Sequence, residues 1–266
     1  MAVGAQLGME PEIPTVISLT ALPSRFATLE QVLGSLASQS ADNYEIHLNL
    51  PGYCKLESVA IDPPGFLDSI SRLRVFRTPD HGPHTKLLPT LQRLAGDAMI
   101  ITVDDDITYH EDMVAEHRRN AEQFPGCAIG YAGRVLVDPS LDQPDPVTDR
   151  AGGHFYGPVR RPVAVKILEG YKSVSYRVGF FGNDYGKYTE RFWEDDVVIS
   201  ALLQARGVDR IVVSHPDEAD FTSRAESFPV VDIMPYPSTG CALRREFQNK
   251  NSDEDAPAFF ASMGWL

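Results

Sequence analysis

One stretch constrains the chain more than any other: residues 98–109, AMIITVDDDITY, in which an apolar run meets three consecutive aspartates. Met99, Ile100, Ile101, Thr102 and Val103 read as a buried parallel strand, because a strand covered on both faces shows a continuous apolar run instead of alternation. Asp104, Asp105 and Asp106 then sit at its carboxyl end. In open α/β sheets, ligands gather in the crevice outside those ends. Three adjacent carboxylates raise one another's pKa unless a cation or strong donors share the site. A divalent metal meets that need, and a solvated acidic turn is the plain alternative. A second acidic cluster, Glu194-Asp195-Asp196, follows about ninety residues downstream and favours the first reading.

The chain before the aspartates alternates as a parallel sheet requires. Thr15-Val16-Ile17-Ser18-Leu19 is a β-branched strand, and Leu29, Val32, Leu33 and Leu36 give residues 28–38 the spacing of an amphipathic helix. Residues 44–50, YEIHLNL, form a second strand ending at Pro51-Gly52. Strand, helix and strand in so short a span make a βαβ unit. Residues 66–73 read as helical and 74–77 as a strand. A Gly-Pro loop carrying His81 and His84 then leads into a helix with Pro89 in its first turn, where proline is tolerated. The Asp-bearing strand is thus the fourth of a βαβαβαβ series.

Beyond it, residues 110–124 form a polar helix and 128–137 a strand. Residues 138–162 are too rich in Pro, Gly and Asp to be regular, which marks a candidate substrate loop. Residues 197–206, with Ile199, Leu202 and Leu203, form a helix ending at Gly207, followed by a strand at 210–213 and then Ser214-His215-Pro216. Phe259, Phe260, Met263 and Trp265 should pack against something. The expected fold class is α/β, a mostly parallel Rossmann-like central sheet flanked by helices. A single domain is expected over 1–266: a first half at 14–137, a second at 138–215, and an extension at 216–266.

A net charge of −13 argues against nucleic acid or an anionic membrane as the main partner, since those surfaces need clustered Lys and Arg. Cys54, Cys127 and Cys241 are widely spaced, with no metal-binding pattern, and read as reduced thiols of a cytoplasmic protein. No signal peptide is recognisable, and no apolar run reaches the roughly 18 residues of a membrane span.

The second cluster opens the helix at 197–206, so one of its carboxylates is expected at the N-cap, where the helix dipole favours the charged form. Capping accounts for one acid of the three. A carboxylate kept ionised at a cleft rim can also take a proton from an attacking hydroxyl.

These residues resemble a known family. A βαβ start, a strand ending in Asp-x-Asp and an acidic pair opening a later helix are similar to the GT-A glycosyltransferases, which use nucleotide-sugars. TKLLPTLQRLAGDAMIITVDDDITYHEDMV resembles the central stretch of bacterial heparosan-type N-acetylglucosaminyltransferases. GYKSVSY at 170–176 followed by FWEDDVVISALLQARG resembles a wider bacterial GT-A group that includes family 2. The resemblance covers about residues 15–215.

It implies a GT-A fold and a transfer to a glycan or glycoconjugate acceptor, inverting by single displacement, from a UDP-sugar, in polysaccharide biosynthesis. It implies that Asp106 binds Mn²⁺ or Mg²⁺ and that Asp104 and Asp105 hold ribose or sugar hydroxyls of the donor. Thr20, Arg25 and Lys86 match positions near the nucleotide, and His215 a third metal ligand. In family 2 the base is the Asp of a Glu-Asp pair, three residues before an apolar position and eleven before a Gly. Counting back from Gly207 selects Asp196, with Ile199 in the apolar place; a register shifted by one selects Asp195.

Two other readings stay open. Asp104-Asp105-Asp106-Ile107-Thr108 fits the Asp-x-Asp-x-Thr of haloacid-dehalogenase-type phosphohydrolases, with Asp104 as nucleophile and Asp106 as acid/base. A non-catalytic sugar- or nucleotide-binding module is the reading from outside the enzymes.

Overall fold

The computed structural model describes residues 13–134, 154–155, 162–189 and 194–213. In chain order the strands are β1 Thr15–Leu19, β2 Tyr44–Pro51, β3 Tyr53–Cys54, β4 Val59–Ala60, β5 Leu73–Thr78 and β6 Met99–Thr102. They continue with β7 Cys127–Gly130, β8 Gly133–Arg134, β9 His154–Phe155, β10 Val163–Ala164, β11 Ile167–Leu168, β12 Val174–Arg177 and β13 Asp209–Val212. The α-helices are α1 Phe26–Ala37, α2 Leu88–Arg93, α3 Met113–Gln123 and α4 Asp195–Ala205. Residues 66–73, read as helical, hold instead a short 3-10 turn at Gly65–Ser69, and the stretch at 138–162 contains the two-residue β9.

Eight strands make the main sheet, in the order β10-β13-β7-β12-β6-β1-β2-β5. β1 pairs in parallel with β2 and β6, β2 with β5, and β7 with β13. Two strands run the other way: β12, antiparallel to both β6 and β7, and the edge strand β10, antiparallel to β13. From β1 the chain steps outward to β2 and β5, then returns to the other side of β1 as β6. The order therefore reverses between β1 and β6, and such a switch point is where an open α/β sheet leaves a crevice.

Side-chain alternation divides the core into two layers. Met99, Ile101 and Val103 pack with Ile17, Leu19 and the buried stripe Leu29, Val32, Leu33 and Leu36 of α1, and with Met113 and Val114 of α3. Ile100 points the other way, into a layer with Leu87 and Leu88, Val174 and Tyr176 of β12, and Val198, Ile199 and Leu202 of α4. Successive strand residues face opposite sides, so this alternation also sets where the aspartates after β6 point. The last turn of α4 closes as the sequence predicts. Gly207 takes φ +68°, its N–H reaches Gln204 O and the Val208 N–H reaches Leu203 O, which is a Schellman cap.

A buried polar knot fixes the segment between β5 and β6 onto β1. Ser18 Oγ donates to the carbonyl of Lys86 at 2.5 Å and lies 2.6 Å from Thr90 Oγ1, and Asn49 Nδ2 donates to Thr90 Oγ1 at 3.0 Å. All three side chains are fully buried. Ser18→Ala is expected to lower stability by about 1–3 kcal/mol, because it strands the Lys86 carbonyl away from water. Urea unfolding at equilibrium measures the loss.

Candidate functional site

Asp104 continues the alternation of β6 onto the α4 face, and Asp105 onto the α1 face. The surroundings of each follow from that split. Asp105 has a side chain only 6% exposed, with both oxygens engaged: Oδ1 accepts from Arg25 Nη1 at 2.7 Å and Oδ2 from the Leu22 N–H at 2.8 Å. It thereby satisfies a backbone donor at the turn that enters α1. Burial raises its pKa, with Arg25 and the Leu22 N–H opposing. Asp104 and Asp106 are more open, at 27% and 17% of their side-chain surface.

Among the described residues, two protein cations share the triplet. Arg25 Nη1, besides holding Asp105, lies 2.9 Å from Asp106 Oδ2. Lys86 ends a 3-10 turn at Gly82–Lys86, and its Nζ lies 2.8 Å from Asp104 Oδ1 and 3.0 Å from Asp195 Oδ2. One ammonium thus joins both acidic clusters. Burial disfavours its charge, but Asp104, Asp195 and Asp196 outweigh that cost and hold its pKa well above the ordinary value.

The antiparallel run of β12 brings the second cluster over. Val174 pairs with Thr102, so β12 begins beside the carboxyl end of β6, and the turn before it, Gly170–Lys172, overhangs the aspartates. The Gly170 N–H donates to Asp196 Oδ2 at 3.1 Å. A Cβ on Gly170 would come within 3.0 Å of Asp196 Oδ1 and 3.1 Å of Lys86 Nζ, so glycine allows the backbone to approach this closely. Asp195 and Asp196 occupy the first turn of α4, where the dipole favours carboxylates. Glu194 holds the N-cap position without a side-chain capping bond.

Asp195 is 7% exposed; its Oδ2 has Lys86 as ion-pair partner but no hydrogen bond. Asp196 is half-buried, and burial together with the neighbouring Asp195 pushes its pKa well above the carboxylate range, with Lys86 and the Gly170 N–H opposing.

Of the residues singled out from the sequence, the structure gathers Arg25, Lys86, Asp104, Asp105, Asp106, Asp195 and Asp196 into this crevice. Thr20, after β1, donates from Oγ1 to the Asn49 carbonyl at 2.8 Å. His215, Cys241 and the aromatic residues at 259–265 lie outside the described residues. Among those described, Cys54 and Cys127 are free thiols. His84 is buried, with Nδ1 3.0 Å from the Tyr185 hydroxyl.

Sequence reasoning missed Tyr109. Its hydroxyl accepts from the Asp104 N–H at 2.8 Å and donates to the Tyr171 carbonyl at 3.0 Å, tying the triplet to the overhanging turn. Burial and the Asp104 charge keep that phenol protonated. The available signal was its place at the end of the same AMIITVDDDITY stretch.

Among the described residues, no three His, Cys, Asp or Glu side chains form a ready metal cage. The donor set suits a different arrangement. Carboxylate oxygens are what hard cations take, and Mg²⁺ uses one or two of them together with substrate phosphates. Asp106 carries charge that Arg25 leaves uncompensated: burial, Asp104 and Asp105 push its pKa up to about 6. The crevice therefore fits a cation shared with a ligand.

That raised value has a stability consequence. Between pH 3.8 and 6 the folded chain holds a proton on Asp106 that the unfolded chain releases, so stability contributed by the protonated form is lost as pH rises through this window. In EDTA, Asp106→Asn is expected to be more stable than the parent at pH 7.5 by up to about 3 kcal/mol, taking roughly 1.4 kcal/mol per pKa unit. The gain should vanish near pH 4. Thermal unfolding across pH 4–8 measures it.

No protein-family model matches the chain, and a search of curated proteins returns no match. Sequence and geometry together establish an α/β chain with a large, mostly parallel central sheet flanked by helices, compatible with a Rossmann-like fold. Its two acidic clusters meet at one crevice.

Proposed function

We propose that this chain is a metal-dependent glycosyltransferase of the GT-A type, moving a sugar from a nucleoside-diphosphate sugar, UDP in our reading, to a hydroxyl of a glycan or glycoconjugate. The observation that carries the proposal is the joining of the two acidic clusters by Lys86, 2.8 Å from Asp104 and 3.0 Å from Asp195. A transferase needs a donor-holding group and a proton acceptor in one cleft, and the two clusters supply both. The resemblance of 170–176 and the α4 region to bacterial GT-A enzymes adds support. Among the described residues no helix is long and apolar enough to cross a membrane. We place the activity in the cytoplasm, where free thiols such as Cys54 and Cys127 persist.

In this mechanism Asp106, and Asp104 beside it, face the donor. Mn²⁺ or Mg²⁺ held by Asp106 would neutralise charge on the departing diphosphate. Arg25, beside Asp106, could donate charge-assisted hydrogen bonds to the same phosphates. Asp104 accepts from donor hydroxyls, and Asp105 acts by holding Arg25 and the Leu22 turn.

Asp196 is the base. It is more open than Asp195, and Lys86 already occupies Asp195. Asp196 takes the proton of the acceptor hydroxyl as that oxygen bonds to the anomeric carbon. The bond from that carbon to the diphosphate oxygen breaks, its electron pair leaves with the nucleoside diphosphate, and configuration inverts. Gly170 and Lys86 hold the two carboxyl groups of α4 in place for this step.

Calorimetric titration with UDP, GDP and inorganic phosphate, each with Mn²⁺ and again with EDTA, tests the reading. Manganese-dependent binding of one nucleoside diphosphate is the expected result. Binding of phosphate without nucleotide would overturn it in favour of the phosphohydrolase, and nucleotide binding without turnover across acceptors in favour of a binding module. Asp106→Ala is expected to weaken metal-dependent nucleotide binding at least tenfold. Asp196→Ala should spare binding and lower transfer by about 100-fold or more, the usual scale of a general base.

The pH dependence follows from the ionised form being the active one. Because the Asp196 pKa is raised, kcat/KM should fall as pH is lowered, with its acid limb well above the ordinary carboxylate value of 3.8. A pH–rate profile measures the limb, and Asp196→Glu should shift it.

A further inference from the structure

Asp106 is the carboxylate that a metal would need, yet in this structure Arg25 already holds it. A single nitrogen, Arg25 Nη1, spans Asp105 Oδ1 at 2.7 Å and Asp106 Oδ2 at 2.9 Å. Arg25 and Lys86 differ in their freedom. The Lys86 side chain is 9% exposed and pinned between two clusters, whereas that of Arg25 is 31% exposed and stands at the rim. Asp105 is fixed independently by the Leu22 N–H, so it can anchor Arg25 whether or not Asp106 is engaged.

Among the described residues, Asp104, Asp105, Asp106, Asp195 and Asp196 face Arg25 and Lys86, so a diphosphate approaching the free site meets more negative than positive charge there and a guanidinium already engaged by Asp105 and Asp106.

We propose that Arg25 is a resident counter-ion for Asp106 and that a divalent cation and a diphosphate enter together by exchange: the metal takes Asp106, and Arg25, still tethered to Asp105, turns its released N–H groups to the phosphate. The inference rests on the metal-dependent reading of the crevice and adds how its loading is controlled. Metal alone must displace a guanidinium that has nowhere better to go. Diphosphate alone meets the carboxylates. Each ligand removes the obstacle to the other, so their binding is positively coupled, and the coupling is reciprocal. A free chain under this control would carry little metal until a phosphate ligand arrives.

The test is Mn²⁺ binding, followed by paramagnetic resonance of the free ion and by calorimetry, with and without UDP and with inorganic diphosphate as a second probe. The wild type is expected to bind Mn²⁺ weakly alone and at least about tenfold more tightly with either phosphate ligand. Arg25→Gln is expected to bind Mn²⁺ alone about tenfold more tightly than the wild type, roughly the effect of removing one competing charge at an ion-pair distance. In that variant the gain from UDP should largely disappear. Arg25→Met also removes the charge while keeping much of the apolar stem, and it should tighten Mn²⁺ binding in the same direction if Arg25→Gln proves unstable.

Unchanged or weaker Mn²⁺ binding in both variants overturns the exchange, and UDP-dependent uptake of Mn²⁺ by the wild type alongside that result leaves the transferase reading standing. No Mn²⁺ uptake by any form, with or without UDP, overturns both.

Discussion

Everything at the crevice depends on one buried ammonium. Taking Lys86 out of water costs several kcal/mol, and the structure repays it with Asp104, Asp195 and Asp196 around the same nitrogen. The dependence is mutual, because without Lys86 the Asp104 carboxylate would face that of Asp195 with no ammonium between them. The scaffold invests accordingly in placing it: Ser18, on the central strand, holds the Lys86 carbonyl, and Thr90 and Asn49 complete the knot behind it. Core packing and site electrostatics meet in a single residue. Its side chain answers to the crevice and its backbone to the sheet.

The aspartate triplet shows how a strand's period turns one acidic run into groups with different jobs. Alternation sends Asp104 toward α4 and Asp105 toward α1, where Asp105 meets a backbone N–H and a guanidinium. Asp106, in the turn beyond, is left with part of one cation, and its raised pKa is the residue of that unequal sharing. The same three residues read as a uniform cluster on paper, yet one is structural, one is neutralised by a lysine and one remains short of positive charge.

Much of the frame was legible because it rests on local signals. β1, α1 and β2 follow from apolar spacing, the Asp-bearing strand from its continuous run, and the end of α4 from Gly207. The helical reading of 66–73 failed because a few apolar residues cannot distinguish an α-helix from the single 3-10 turn found at Gly65–Ser69. The antiparallel insertion of β12 was not legible at all, since four residues, VSYR, carry no mark of their direction. The need for cations beside the triplet could be deduced, and so could the candidates Arg25 and Lys86. Their pairing could not, because it depends on which face each aspartate takes once the strand ends. Tyr109 was hidden for the same reason: a tyrosine five residues beyond Asp104 says nothing about a hydroxyl folding back to its N–H.

The strand order carries a consequence for how the chain can be divided. Sequence suggests a first half ending near residue 137, but β12 lies between β6 and β7, and β13 pairs with β7. Cut there, the first half would be left with β6 and β7 on either side of a vacant lane, each with a row of unpaired peptide groups of the kind that recruits foreign strands. The second half would lose both neighbours of β12. The two halves of this protein are therefore interleaved like the fingers of clasped hands, each filling a gap in the other's sheet.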